Sequence, residues 1–104
     1  MKGYRVLMTQ PAADDLQGIA SYIANELREP SIAINLVNRI KEAVMSLSEM
    51  PARHSLIADE NLAIQQIRKI MVDNYIVFYT VSEQDATVTV IRILYGRRDW
   101  VSLI

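Results

Sequence analysis

The residues best equipped for chemistry are cations. The stretch Arg92-Ile93-Leu94-Tyr95-Gly96-Arg97-Arg98-Asp99-Trp100 carries three of the chain's eleven Lys+Arg residues within seven positions. Arginine stays protonated at any working pH, and its planar fork matches phosphate or carboxylate. A polyanion or an acidic protein is therefore the expected contact, with Gly96 as a joint before the Arg97-Arg98 pair. His54 is the only histidine and has the pKa range for proton transfer. It stands beside Arg53 in an irregular segment, 52–65, that also holds Asp59, Glu60 and Asn61. Each residue also has a plainer reading. Arg97-Arg98-Asp99 reads equally as an ion-pair cluster ending a sheet, His54 as an exposed loop histidine, and Trp100 as packing, since indole buries most of its area. Arg92 alternates with Val90 and Leu94 in an apolar strand, where a guanidinium needs a partner; a structural carboxylate fits that need as well as a functional contact does. Asp14-Asp15 reads as helix-start charge, and no further ligands stand at metal-site spacing.

Composition narrows the chemistry. The chain has 104 residues and no cysteine, which removes disulfides, thiolate metal sites and cysteine nucleophiles. A single histidine removes a two-histidine metal site. Neither a metal nor any other cofactor is expected. Net charge is −1, so any basic surface must be local; proteins that hold nucleic acid mainly by its backbone are usually basic overall. No apolar run approaches the ~20 residues of a membrane span, and the N-terminus lacks a signal-peptide pattern. The expectation is one cytoplasmic domain, residues 1–104, with no membrane partner.

Those residues must be positioned by a small set of elements. Tyr4 to Met8 reads as an opening strand. Thr9 or Gln10 can cap a helix that admits Pro11 in its first turn. Leu16, Ile19, Ala20, Ile23 and Leu27 then follow helical spacing, predicting a helix near 11–27, weakened by Gly18. Ser31 is a candidate N-cap for a second helix near 31–49, whose stripe is Ala33, Leu36, Val37, Ile40, Val44 and Leu47; Met50-Pro51 ends it. At Gln66 the period changes to two. Ile67 to Val72, Tyr75 to Val81 and Thr87 to Leu94 predict an antiparallel meander with turns at Asp73-Asn74 and at 82–85. The last strand is apolar on both faces (Val88, Val90 and Leu94 on one, Ile91 and Ile93 on the other), which places it centrally. Helices first and strands last predict an α+β fold, with an N-terminal strand and a helical hairpin packed on one face of an antiparallel sheet. The opposite face is expected to lack helical cover and to be bordered by loop 52–65 and the Arg97-Arg98 turn. Tyr75, Phe78 and Tyr79 read as core, although a tyrosine on an uncovered face could stack on a base.

The chain resembles the RelE/ParE family of toxins from bacterial toxin–antitoxin modules along almost its whole length. The resemblance rests on Tyr4-Arg5-Val6; on Pro11-Ala12-Ala13-Asp14-Asp15-Leu16 with Ile19 and Tyr22-Ile23; and on Pro30 with Ala33. Leu47 to Pro51 followed by Arg53, Asn74 to Tyr79, and Val90 to Asp99 complete it. It implies a toxin silenced by a cognate antitoxin. RelE-like members cut mRNA on the ribosome, whereas ParE-like members inhibit DNA gyrase and are not nucleases. For a RelE-like endoribonuclease the resemblance implies Arg53, Arg68 and Arg98 as the catalytic cations, with His54 as a substitute base. For a ParE-like inhibitor it leaves Arg92, Arg97, Arg98 and Trp100 as partner-binding residues. RelE-like acid/base residues are loop lysines and a C-terminal tyrosine. This chain has no lysine between Lys41 and Lys69 and no tyrosine after Tyr95. With a net charge of −1, against the strong positive charge a ribosome binder needs, the expected target is gyrase, and ribosome-bound mRNA is the alternative.

Overall fold

The structure, a computed structural model, describes residues 3–54, 56–57, 65–96 and 103–104. In chain order the elements are β1 (Arg5–Met8), α1 (Gln10–Ser21), a π-helical turn (Tyr22–Glu26), α2 (Pro30–Ser46), a 3₁₀ turn (Pro51–Arg53), β2 (Arg68–Val72), β3 (Tyr75–Ser82) and β4 (Thr87–Tyr95). The sheet order is β1-β4-β3-β2. β2, β3 and β4 form the antiparallel meander, while β1 pairs with β4 in parallel, Arg5 opposite Thr87 and Met8 opposite Val90. A parallel pair needs a long crossover, and all the chain between β1 and β4 supplies it. The α+β fold with two helices on a mostly antiparallel sheet is as expected, and β4 is central.

Local chemistry explains the element ends. Thr9 caps α1 by accepting the Ala12 N–H at 3.2 Å on Oγ1. The helix then loosens into the π turn, with Leu27 N–H donating to Tyr22 O at 3.2 Å. Arg28, left-handed at φ 56, turns the chain out, and Glu29 N–H donates back to Ile23 O at 3.0 Å; a left-handed residue just past a helix closes its open carbonyls in this way. Ser31 is not the N-cap of α2. Glu29 holds that position and Pro30 is the first helical residue, because proline's fixed φ suits N1 and draws the start one residue earlier.

The alternation along β4 differs from the simple period-two reading. Phe78 pairs with Arg92 but Tyr79 with Val90, leaving Ile91 as the extra residue of a β-bulge. One inserted residue exchanges the faces of everything beyond it. Val88, Val90 and Ile93 therefore enter the core beneath the helices, while Leu94 and Ile91 join the opposite face. Thr9 pins the bulge, its N–H donating to Val90 O at 3.0 Å and its Oγ1–H to Ile91 O at 2.9 Å.

The core has two parts. Ala12, Ile23, Ala33, Leu36, Ile40, Val44 and Leu47 from the helical side pack on Val77, Tyr79, Val88, Val90 and Ile93 of the sheet. On the far side, Ile76, Phe78 and Leu94 are buried under Ile57 and Ile67, with Leu103 and Ile104 against them. The expectation of an uncovered far face is thus corrected. A short bridge between Leu56 and Arg68, with Ile57 N–H donating to Ile67 O at 3.0 Å, holds this cover in place. Tyr75 and Tyr79 face the helical side, so neither lies on the far face of the sheet.

Candidate functional site

Three places carry polar chemistry. The first is the end of β2 and β3 where the 3₁₀ turn abuts the sheet. Arg53 follows α2 and donates to Glu49 O at 2.7 Å and to Ser46 Oγ at 3.3 Å, so its charge sits on the carbonyl end of the helix, where cations are favoured. Arg68 opens β2 and donates to His54 O at 2.6 Å. Tyr79, opposite Arg68 in the sheet, is fully buried and donates its hydroxyl to Pro51 O at 2.6 Å. Burial pushes the Tyr79 phenol up to about 12, against the opposing pull of the Arg68 and Arg53 charges. His54 lies edge-on to the Tyr79 ring, centroids 6.3 Å apart. Its Nε2 is buried and has no hydrogen-bond partner among the described residues. Burial first, then the Arg53 charge, lowers its pKa and favours the neutral ring.

Arg53, His54 and Arg68 are therefore brought together. Both arginines are bound to main-chain carbonyls, and no carboxylate among the hydrogen bonds described here orients the imidazole. The arrangement can stabilise negative charge, and no positioned base–orienter pair for proton transfer is seen among the described residues. No group of three or more potential metal ligands occurs among the described residues.

The second place is built around Arg92. Its guanidinium makes a bidentate pair with Asp15 on α1, Nε to Oδ2 at 2.7 Å and Nη2 to Oδ1 at 2.9 Å. Nη1 donates to Leu103 O at 2.9 Å. Asp15 Oδ2 also accepts the Ile93 N–H at 3.0 Å. β1 ends opposite Val90, so the β4 edge beyond it loses its strand neighbour, and the Asp15 carboxylate takes over one exposed donor. The Asp15 bond raises the already high pKa of Arg92. The helix-start reading of Asp14-Asp15 is corrected here. Neither residue lies in the first turn of α1. Asp15 serves the sheet, and Asp14 accepts from Gln10 Nε2 at 2.9 Å. The signal that could have found Asp15 was its spacing: it stands three after Ala12 and four before Ile19, on the inward stripe.

The third place is an open groove of about 760 Å³ between the outer side of α1 and the β4 end, lined by Asp14, Asp15, Gly18, Tyr22, Tyr75 and Tyr95, among others. Tyr75 and Tyr95, opposite each other in the sheet, pack edge to face with centroids 5.5 Å apart. Gly96 closes β4 with its N–H on Asn74 O at 2.7 Å, and a Cβ there would lie 3.1 Å from that oxygen. Gly96 is thus a close-packing position and not a free joint. Arg97, Arg98 and Trp100 lie outside the described residues, as do Asp59, Glu60 and Asn61 of the loop.

No helix among the described residues is long and apolar enough to cross a membrane. No curated protein matches the chain in sequence. Its fold is shared with solved structures of low identity. The chromosomal ParDE toxin–antitoxin system of P. aeruginosa superposes with a TM-score of 0.73 at 20% identity, covering 91% of this chain and 98% of that one. The RelBE2 toxin–antitoxin complex of Mycobacterium tuberculosis gives 0.64 at 20% identity over 89% and 98%. The intact E. coli RelBE complex gives 0.62 at 16% identity over 91% and 99%. Both ParE- and RelE-type toxins thus share this architecture. A family model for the ParE toxin of the type II toxin–antitoxin system parDE matches residues 6–100. With the helical pair, the complete meander and all of β1 but Arg5 inside that span, the chain belongs to the ParE toxin family of type II toxin–antitoxin systems.

Proposed function

We propose that this toxin arrests growth by a non-enzymatic, ParE-like interaction with DNA gyrase and is neutralised by a cognate antitoxin. The observation that carries the reading is the state of the candidate nuclease residues. Arg53 and Arg68 each donate to a main-chain carbonyl, and among the described residues His54 Nε2 has no partner that would orient the ring as a base. A ribonuclease that drives the 2′-hydroxyl onto its own phosphate needs a base, an acid and a charge-stabilising donor, and arginine serves only the last role. The absence of lysine between Lys41 and Lys69 points the same way.

The antitoxin partner is supported by the company this fold keeps: the P. aeruginosa ParDE system and the two RelBE complexes are each toxin–antitoxin assemblies. Acidic antitoxin side chains would meet Arg97 and Arg98, with Trp100 supplying apolar contact. Arg92 contributes by holding Leu103 and the end of the chain in place. The test is inducible expression of the chain alone, read by a supercoiling assay with purified gyrase beside a primer-extension map of transcripts. Inhibited supercoiling with intact transcripts is expected, and Arg98→Ala should weaken target binding by ~1–3 kcal/mol through one charged hydrogen bond. In-frame cleavage of translated messages that disappears in Arg98→Ala would overturn the proposal in favour of a ribosome-dependent endoribonuclease.

A further inference from the structure

The groove between α1 and the end of β4 is absorbed by neither the fold nor the proposed function. Glycine inside a helix costs stability relative to alanine, yet Gly18 sits mid-helix in α1 with no positive φ and with open space where a Cβ would stand. Nothing in the backbone demands glycine there; its effect is to keep the groove open. The π turn begins at Tyr22, a residue 54% exposed at the groove wall. Tyr75 and Tyr95 supply two further rings, already packed edge to face. The Tyr75 phenol is raised by burial and then by its two tyrosine neighbours, which agrees with three hydroxyls converging on one space.

Among the described lining residues the charged groups are Asp14 and Asp15, and no lysine or arginine stands with them. Asp15 is committed to Arg92, whereas Asp14 accepts one bond from Gln10 and keeps further acceptor capacity. A flat cation that lies on a tyrosine face and turns its edge to a carboxylate matches both features.

We propose that this groove is a docking site for an arginine side chain presented by a partner protein, its guanidinium stacked among Tyr22, Tyr75 and Tyr95 and hydrogen-bonded to Asp14, with Gly18 forming the open floor.

The test is a backbone-amide NMR titration of the full chain with a capped alanyl-arginyl-alanine peptide. The controls are the same peptide carrying citrulline, its neutral isostere, and free spermidine. Saturable shifts centred on Gly18, Tyr22 and Tyr95 are expected for the arginine peptide. The citrulline peptide should bind weaker by roughly tenfold or more, through loss of the cation–π and charge-assisted contacts. Asp14→Asn should reproduce most of that loss. Gly18→Met, which fills the groove from a position with room for it, should abolish the shifts without lowering the unfolding temperature. Absent or unsaturable shifts, equal binding of the citrulline peptide, or unchanged binding by Gly18→Met would overturn the assignment. Spermidine binding more tightly than the peptide would assign the groove to a small polyamine instead. Concentration-dependent dimerisation removed by Gly18→Met would assign it to a second copy of the chain.

Discussion

Replacing Asp15 by alanine removes one carboxylate and breaks three hydrogen bonds at once, two to Arg92 and one to the Ile93 N–H. The side chains of Arg92 and Asp15 are only 24% and 14% exposed, so water reaches the stranded groups poorly. Removing one partner of a buried pair typically costs ~3–5 kcal/mol, because the remaining charge stays desolvated and unpaired. The orphaned N–H adds to this, and partial exposure of the guanidinium subtracts, so about 3–4 kcal/mol is expected. Against a total stability of about 5–15 kcal/mol for a domain of this kind, that is a large fraction. Asp15→Asn keeps an oxygen for Ile93 and should cost about 1–3 kcal/mol. Arg92→Met leaves the carboxylate its Ile93 donor and should fall between the two. Equilibrium denaturation by urea measures all three, and the Asp15→Ala/Arg92→Met double variant measures the coupling. A cost below about 1 kcal/mol for Asp15→Ala, or a double variant that merely sums the singles, would refute the reasoning that this pair ties α1 to the sheet. Loss of partner affinity in Arg92→Met at unchanged stability would show instead that Arg92 acts at the partner surface.

Further outcomes can be checked on the same purified chain. His54 has its pKa lowered below 6.5 in the folded chain, so its contribution is complete above that value and is lost as pH falls from 6.5 toward the folded pKa. His54→Phe should therefore flatten the fall in urea midpoint between about pH 7.5 and about pH 5; an unchanged slope would show that burial of the ring does not set it. Tyr79→Phe removes the bond to Pro51 O and leaves that carbonyl short of a donor, at a cost of ~1–2 kcal/mol by thermal unfolding. Gly18→Ala should raise stability by ~0.5–1 kcal/mol, since the helix gains propensity and the added methyl meets nothing. Met50 is left-handed at φ 47, and Met50→Gly should be neutral or stabilising by up to ~1 kcal/mol, the reverse of glycine's usual effect.

The order of elements was legible in the chain because it depends on local periodicity. The stripe from Leu16 to Ile23, the stripe from Ala33 to Leu47 and the β-branched run ending at Leu94 each declare their period within a dozen residues, and Thr9 and Pro11 declare a helix start. The need of Arg92 for a partner was legible too, since a guanidinium among apolar strand neighbours states its own problem. The identity of that partner was not, because Asp15 stands seventy-seven positions away; spacing puts it on the inward stripe of α1, but only the packing of α1 on β4 decides which strand residue it meets. The Ile91 bulge was equally invisible: it exists to reconcile the β3–β4 register with Thr9 at the α1 start, and it decides which face receives Ile93 and Leu94. The parallel seat of β1 on β4, the burial of the far face under Ile57, Ile67, Leu103 and Ile104, the bond from Arg68 to the His54 carbonyl and the bond from Tyr79 to the Pro51 carbonyl all share one physical reason. Each joins groups from distant parts of the chain, and such contacts are chosen by the packing of whole elements rather than by any residue's own preference.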